Sequence, residues 1–149
     1  MAEAKTTTFG KLLIKLGDGA DPEVFAQPCG MTSKSLTFSK NTGETLVVDC
    51  DDEDQVTWLE RNAESLSASV SGDGVLAASS IQPWWAAFAS TEAINCELSI
   101  QYSTGTMKWT GPFHVTSFEI SGEKSGDPKV KSAIQMDSAG AIENEWVAA

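Results

Sequence analysis

The densest set of chemically capable groups is Asp49-Cys50-Asp51-Asp52-Glu53-Asp54, five carboxylates in six residues. Oxygen ligands at alternate positions suit a hard divalent cation. Asp49, Asp51, Glu53 and Glu60 match part of a calcium-loop spacing. The glycine that such a loop needs at its sixth position is replaced by Asp54, and no entering helix precedes the run. A solvated, self-repelling loop or a charged contact surface is therefore expected, not a metal site. His114 is the only histidine, and no G-x-S-x-G or comparable signature accompanies it. A strand histidine facing water or a neighbour is the expectation. No phosphate-cradling glycine motif occurs; Gly17-Asp18-Gly19 and Gly72-Asp73-Gly74 read as turns. Cys29, Cys50 and Cys96 are odd in number and widely spaced without C-x-x-C, which predicts reduced thiols of a protein made in a cytosol. The sequence thus assigns no catalytic, cofactor-binding or metal-binding residue, and no cofactor.

The elements that would position any site follow from composition and periodicity. The chain has 149 residues, 41% of them apolar, enough for one domain with a core. With 21 acidic against 10 basic residues its formal net charge is −11, which argues against binding nucleic acid. No apolar run is long enough for a membrane span, and the N-terminus carries no visible secretory signal. Leu12, Ile14 and Leu16 alternate with lysines as a strand, and Val24-Phe25 lead a second extended piece ending near Gly30. Residues 32–49 read as a β-hairpin turning at Asn41-Thr42-Gly43. Residues 51–61 read as a short helix or helical loop, with an acidic first turn and Val56 and Leu59 three apart. Residues 66–71 alternate with a face of small polar residues, ending at Gly72-Asp73-Gly74.

A helix is predicted next, capped by Ser79 or Ser80 with Pro83 in its first turn. Ile81, Trp84, Trp85 and Phe88 fall at helical spacing and are expected to pack as one apolar stripe. Ile94 to Tyr102 alternates strictly as an antiparallel strand with one wet face. Phe113 and Val115 share one phase and Phe118 and Ile120 the other, which predicts a β-bulge between them. Val130 to Met136 is the last strand, and residues 138–149 read as a tail that Trp146 could dock. The class is mostly β, an antiparallel β-sandwich or open barrel with one flanking α-helix.

The order of these features resembles the phage major tail protein, or tail tube, family of long-tailed phages and gene transfer agents. The resemblance rests on KLLIKLGDG followed by ADPEVFAQPCGMTSKSLTFS, on the Trp-containing stretch Thr57-Trp58-Leu59-Glu60, and on Ser69-Val70-Ser71-Gly72-Asp73-Gly74. Gly111 to Glu119 and Ser132 to Gly140 complete it. It covers residues 9–141, so one domain spans 1–149 with a core of 9–141 and an extension of 142–149.

The resemblance implies a structural virion protein and no enzyme. Six copies would form rings, the rings would stack, and the inner sheets would join into one β-barrel channel for ejection of double-stranded DNA. DNA would pass without specific binding, as a chain of −11 suits. The implied partners are further copies, a tape measure protein, a tail terminator and, in a contractile tail, a sheath; no membrane is implied. The implied location is the virion tail, assembled in the bacterial host cytoplasm. A tail terminator or other tail-completion ring, and a solitary β-sandwich ligand-binding module, are the alternatives. Within this picture the hairpin and Asp49, Asp51, Asp52, Glu53 and Asp54 are candidates for contact between rings or for channel surface. Ser67, Ser69, Ser71, Glu97, Ser99 and Gln101 are candidates to line the lumen.

Overall fold

The computed structural model describes residues 3–17, 24–126 and 128–149. The expected Gly17-Asp18-Gly19 turn lies largely outside the described residues. One turn of 3₁₀ helix, Phe9–Lys11, leads into β1 (Leu12–Gly17) and β2 (Phe25–Ala26). Two long strands follow, β3 (Met31–Leu46) and β4 (Leu59–Val75), then α1 (Ala78–Ala89). β5 (Ile94–Tyr102), β6 (Gly105–Ser121), β7 (Lys131–Ser138) and β8 (Glu143–Ala148) complete the chain. Among the described residues no helix is long and apolar enough to cross a membrane.

All described strands belong to one antiparallel sheet in the order β2-β1-β5-β6-β7-β4-β3, with β8 also paired to β6. The sheet curls without closing. The Lys34 ammonium on β3 donates to the Leu12 carbonyl on β1 at 2.7 Å, although the two strands lie near opposite margins of the sheet. The same nitrogen lies 4.4 Å above the Phe9 ring. This is the open, mostly β architecture with one flanking helix that the periodicity predicts.

The core fills the inside of the curl. Ile14 and Leu16 of β1, Cys96 and Leu98 of β5, Phe113 and Val115 of β6, and Ile134 and Met136 of β7 are buried in it. Ala68 and Val70 of β4 and Trp84 and Ala87 of α1 complete it. The β6 bulge stands between Val115 and Ser117, where the phase slip places it. It keeps Phe118 opposite Ile134 on the core side after the extra residue.

Four expectations are corrected. The hairpin is not contained in residues 32–49: β3 runs through Asn41-Thr42-Gly43 with only a register irregularity and pairs with β4. Gly43 stands opposite Asn62, and Glu44 and Arg61 form an ion pair at 3.2 Å. The turn therefore falls at residues 47–58, because carboxylates are better solvated at a tip than paired in a strand. Residues 51–61 are accordingly no helix, and β4 continues through Gly72 and Gly74 to Val75.

The helix cap is the third correction. Ala77 occupies it with no side-chain hydrogen bond, while the Ser80 hydroxyl donates to the Ala77 carbonyl at 3.0 Å. Pro83 falls in the second turn, where it denies the Ser79 carbonyl its helical partner. Finally, residues 143–148 are a strand. β8 pairs with Gly105–Thr110 of β6, and Ala139 N–H donates to the Pro112 carbonyl where the chain passes from β7 to β8. The Trp146 ring lies so close over Gly105 that a Cβ there would meet it at 2.7 Å.

Candidate assembly surfaces

Strand register decides which side chains share a face. Ser69 pairs with Asp137 and Ser71 with Gln135 across β4 and β7. Asp137 pairs with His114 on β6. Along β5 and β6, Glu97 pairs with Thr110, Ser99 with Lys108 and Gln101 with Thr106. Ser35, Thr37 and Ser39 of β3 stand opposite Ser71, Ser69 and Ser67. Alternation then puts Ser67, Ser69, Ser71, Glu97, Ser99 and Gln101 on one face, opposite the core. That face carries short hydroxyls together with Lys15, Lys108, Glu97 and Asp137. Thr116 donates to the Asp137 carboxylate at 3.3 Å and Lys108 approaches Glu97 at 3.8 Å.

One member of the set is corrected. Ser99 is only 2% exposed, with Leu13 and Lys108 as its cross-strand neighbours. It is closed off within the protomer and lines no open surface. Ser67 is exposed and the other four are half-buried. His114 is exposed on the same face, as expected of a strand histidine.

The second surface is the arm. Beyond Ala68 the β3–β4 pair runs on to Leu46 and Leu59, while β7 pairs only with Ser69–Val75 of β4. The arm therefore leaves the body of the sheet. Asp49, Asp51, Asp52, Glu53 and Asp54 all sit in its exposed tip, residues 47–58. Asx-type bonds shape that tip: the Asp51 N–H donates to the Asp49 carboxylate at 2.9 Å and the Asp54 N–H to that of Asp52 at 3.3 Å. Among the described residues no cluster of three or more His, Cys, Asp or Glu side chains is arranged to hold a metal.

Apolar groups flank these acids, a feature the charge pattern obscured. Val56 is 92% and Trp58 91% exposed, and Val47 and Val48 are half bare. The signal available in the sequence was their position on both sides of the acidic run, outside any amphipathic period.

The helix splits its expected stripe. Ser80, Trp84 and Ala87 turn inward, with Trp84 only 2% exposed. Ile81, Trp85 and Phe88 form a second line one position round, in the open. The Trp85 and Phe88 rings touch at 5.8 Å between centroids. Ser80 and Ala87 on either side of Trp84 let the helix sit close to β6, and Ile81, Trp85 and Phe88 are left outside. Only Trp84 of the four predicted packing residues is buried.

The third surface is main chain. β3 is bonded to β4 on one side only. β6 loses β5 beyond Phe113, leaving residues 114–121 paired on the β7 side alone. Leu59–Ser67 of β4 bond only to β3, whereas the Ala68 N–H donates to the Ser138 hydroxyl of β7 at 3.0 Å. These statements hold among the described residues. Cys29 and Cys50 are free and exposed, and Cys96 is free and buried.

The geometry joins a curled sheet with open margins, one polar face and a projecting arm. A family model described as phage tail tube protein matches residues 6–144. No curated protein matches significantly. Among solved structures, the tail of an empty gene transfer agent particle with C6 symmetry matches with TM-score 0.73 and 25% identity, covering 93% of this chain and 98% of that one. The virion of a native gene transfer agent particle matches with TM-score 0.72 and 24% identity over 94% and 99%. The SPP1 tail tube matches with TM-score 0.59 and 12% identity over 97% and 80%, a likeness of fold.

Proposed function

The chain belongs to the phage tail tube protein family, and from that membership we propose that six copies close into a ring by completing one another's sheets. It is a structural subunit of a virion tail and its family is not one of enzymes. The observation that carries the ring is the set of long margins bonded on one side only: β3, Leu59–Ser67 of β4, and residues 114–121 of β6. Exposed edges of this length invite strand addition, and a closed ring removes them. The similar gene transfer agent tail has sixfold symmetry, which supports the number.

The polar face is the lumen of this ring. Ser67, Ser69, Ser71 and Gln101 present short or neutral groups there, with the carboxylates of Glu97 and Asp137 beside them. Double-stranded DNA then passes a wall whose Lys15 and Lys108 stand beside Glu97, and a chain of −11 gives its phosphates little net attraction. Rings stack head to tail, with the arm and Asp49, Asp51, Asp52, Glu53 and Asp54 between them. A tape measure protein fills the channel before DNA, a terminator closes the last ring, and a sheath is a further partner in a contractile tail. Assembly takes place in the host cytoplasm.

The test is electron microscopy of the purified protein at rising concentration. Hollow tubes built of sixfold rings are expected. Single rings that never elongate would point to a tail-completion protein. A protein that stays monomeric, even with a tail-tip nucleus, would overturn the reading.

A further inference from the structure

Two groups of apolar side chains are left bare at opposite ends of β4. At one end is the arm tip, with Val47, Val48, Val56 and Trp58 around five carboxylates. At the other end β4 passes through two residues into α1, whose Ile81, Trp85 and Phe88 face outward. α1 contains no charged residue between Ala78 and Ala89. The Leu76 N–H, two residues before α1, donates to the Val130 carbonyl at 2.9 Å, which brings the backbone of Lys129 and Lys131 to the end of β4 from which α1 starts. Lys124 is exposed in the same connection between β6 and β7, beside the exposed Glu123.

We propose that the arm tip of one copy docks on the α1 face of another copy. This rests on the tube reading above. Trp58 and Val56 cover the line Ile81–Trp85–Phe88, and the carboxylates face Lys124, Lys129 and Lys131.

Length and charge both select a second copy as the occupant. β4 has 17 residues, on the order of 50 Å at about 3.3 Å per residue, so a tip cannot reach its own α1. A contact between two different patches of identical chains is heterologous and propagates, as a stacked tube requires. An acidic, aromatic tip repels other acidic surfaces, whereas the uncharged helix beside lysines offers apolar cover without repulsion.

Cys50 lies in the tip and is exposed, which gives a direct probe. Cys29 is the other exposed thiol, its Sγ 3.2 Å from the Ser79 hydroxyl at the start of α1. A Cys29→Ser chain labelled at Cys50 with benzophenone maleimide is co-assembled with excess unlabelled chain, imaged, irradiated and digested. The expected adducts join residues 47–58 of one copy to residues 78–89 or 122–131 of another. In the same assay Trp58→Ala and Trp85→Ala should each raise the protein concentration needed for elongation about tenfold or more, with rings and protomer stability retained. Tubes whose adducts lie elsewhere, or that elongate equally well with both tryptophans removed, overturn the docking and leave the tube reading standing. Absence of tubes under every condition overturns both.

Discussion

The rings of Phe38 and Trp109 meet at 5.2 Å between centroids, tilted by 47°, although β7 and β4 stand between their strands in the sheet. The contact crosses the inside of the curl. It holds the root of the arm against the body beside a cleft of about 920 Å³. Phe38→Ala and Trp109→Ala should each destabilise the protomer by about 1–3 kcal/mol. Their double-mutant cycle should return a coupling of about 0.5–1.5 kcal/mol. Urea unfolding of the monomer measures both; strict additivity would show that the rings do not brace the curl.

Adjacent indoles on α1 should behave oppositely. Trp84 is buried, so Trp84→Ala should cost about 3–5 kcal/mol of protomer stability. Trp85 is 58% exposed, and Trp85→Ala should stay within about 1 kcal/mol of the parent. Thermal unfolding of the two variants checks this. Equal losses would mean that the helix is seated the other way round.

These two tryptophans also show what was legible in the sequence. The helix, β5 and the β6 bulge follow from local period alone, since burial on one face writes a period into the chain. The seating of α1 does not, because Ser80 and Ala87 carry no hydrophobic signal yet let the helix approach β6. The β3–β4 pairing was hidden for another reason. Alternation marks a strand but not its partner, and Asn41-Thr42-Gly43 looks like a turn until Ser65, Ala63 and Asn62 are placed opposite. β8 carries no apolar face that would mark a strand in the sequence, and all six of its residues are exposed. Which surfaces face the lumen or a neighbouring ring lies beyond local period, since it depends on copies that the chain does not contain.

Lys34 should brace the two margins of the curl through the Leu12 carbonyl and the Phe9 ring. Lys34→Met keeps the stem and loses the donor, and should cost about 1–2 kcal/mol near neutral pH. Burial holds the Lys34 ammonium below its ordinary 10.5. Between that lowered value and 10.5 the unfolded chain binds more protons than the folded one, so this group's contribution to stability rises with pH there. Comparison of parent and Lys34→Met unfolding across that window should show the parent gaining; a parent that loses ground would contradict the assignment.

Gly30 has φ of 103°, and a Cβ there would collide with the Val75 carbonyl at the point where Val75 N–H donates to the Gly30 carbonyl. Gly30→Ala should therefore destabilise by more than about 1 kcal/mol. Gly122 has open space around it, and Gly122→Ala should be nearly neutral. Chemical denaturation of the pair provides the comparison.

Ser69→Lys with Ser71→Lys should leave the protomer folded while changing what its tubes do with DNA. Parent tubes should retain no duplex at about 0.15 M salt, and the lysine pair should retain it with a steep loss as salt rises. Filter retention of labelled duplex distinguishes these outcomes. Indifference of the tubes to both lysines would move the polar face out of the channel.

A cryo-EM map of the assembled protein, detailed enough to trace the main chain, tests the ring most directly. Six protomers should exchange backbone N–H···O=C bonds along β3, Leu59–Ser67 of β4 or residues 114–121 of β6, with Ser69 and Ser71 turned to the channel. A map in which neighbouring copies touch only through side chains, or in which those serines lie on the outer wall, would contradict it.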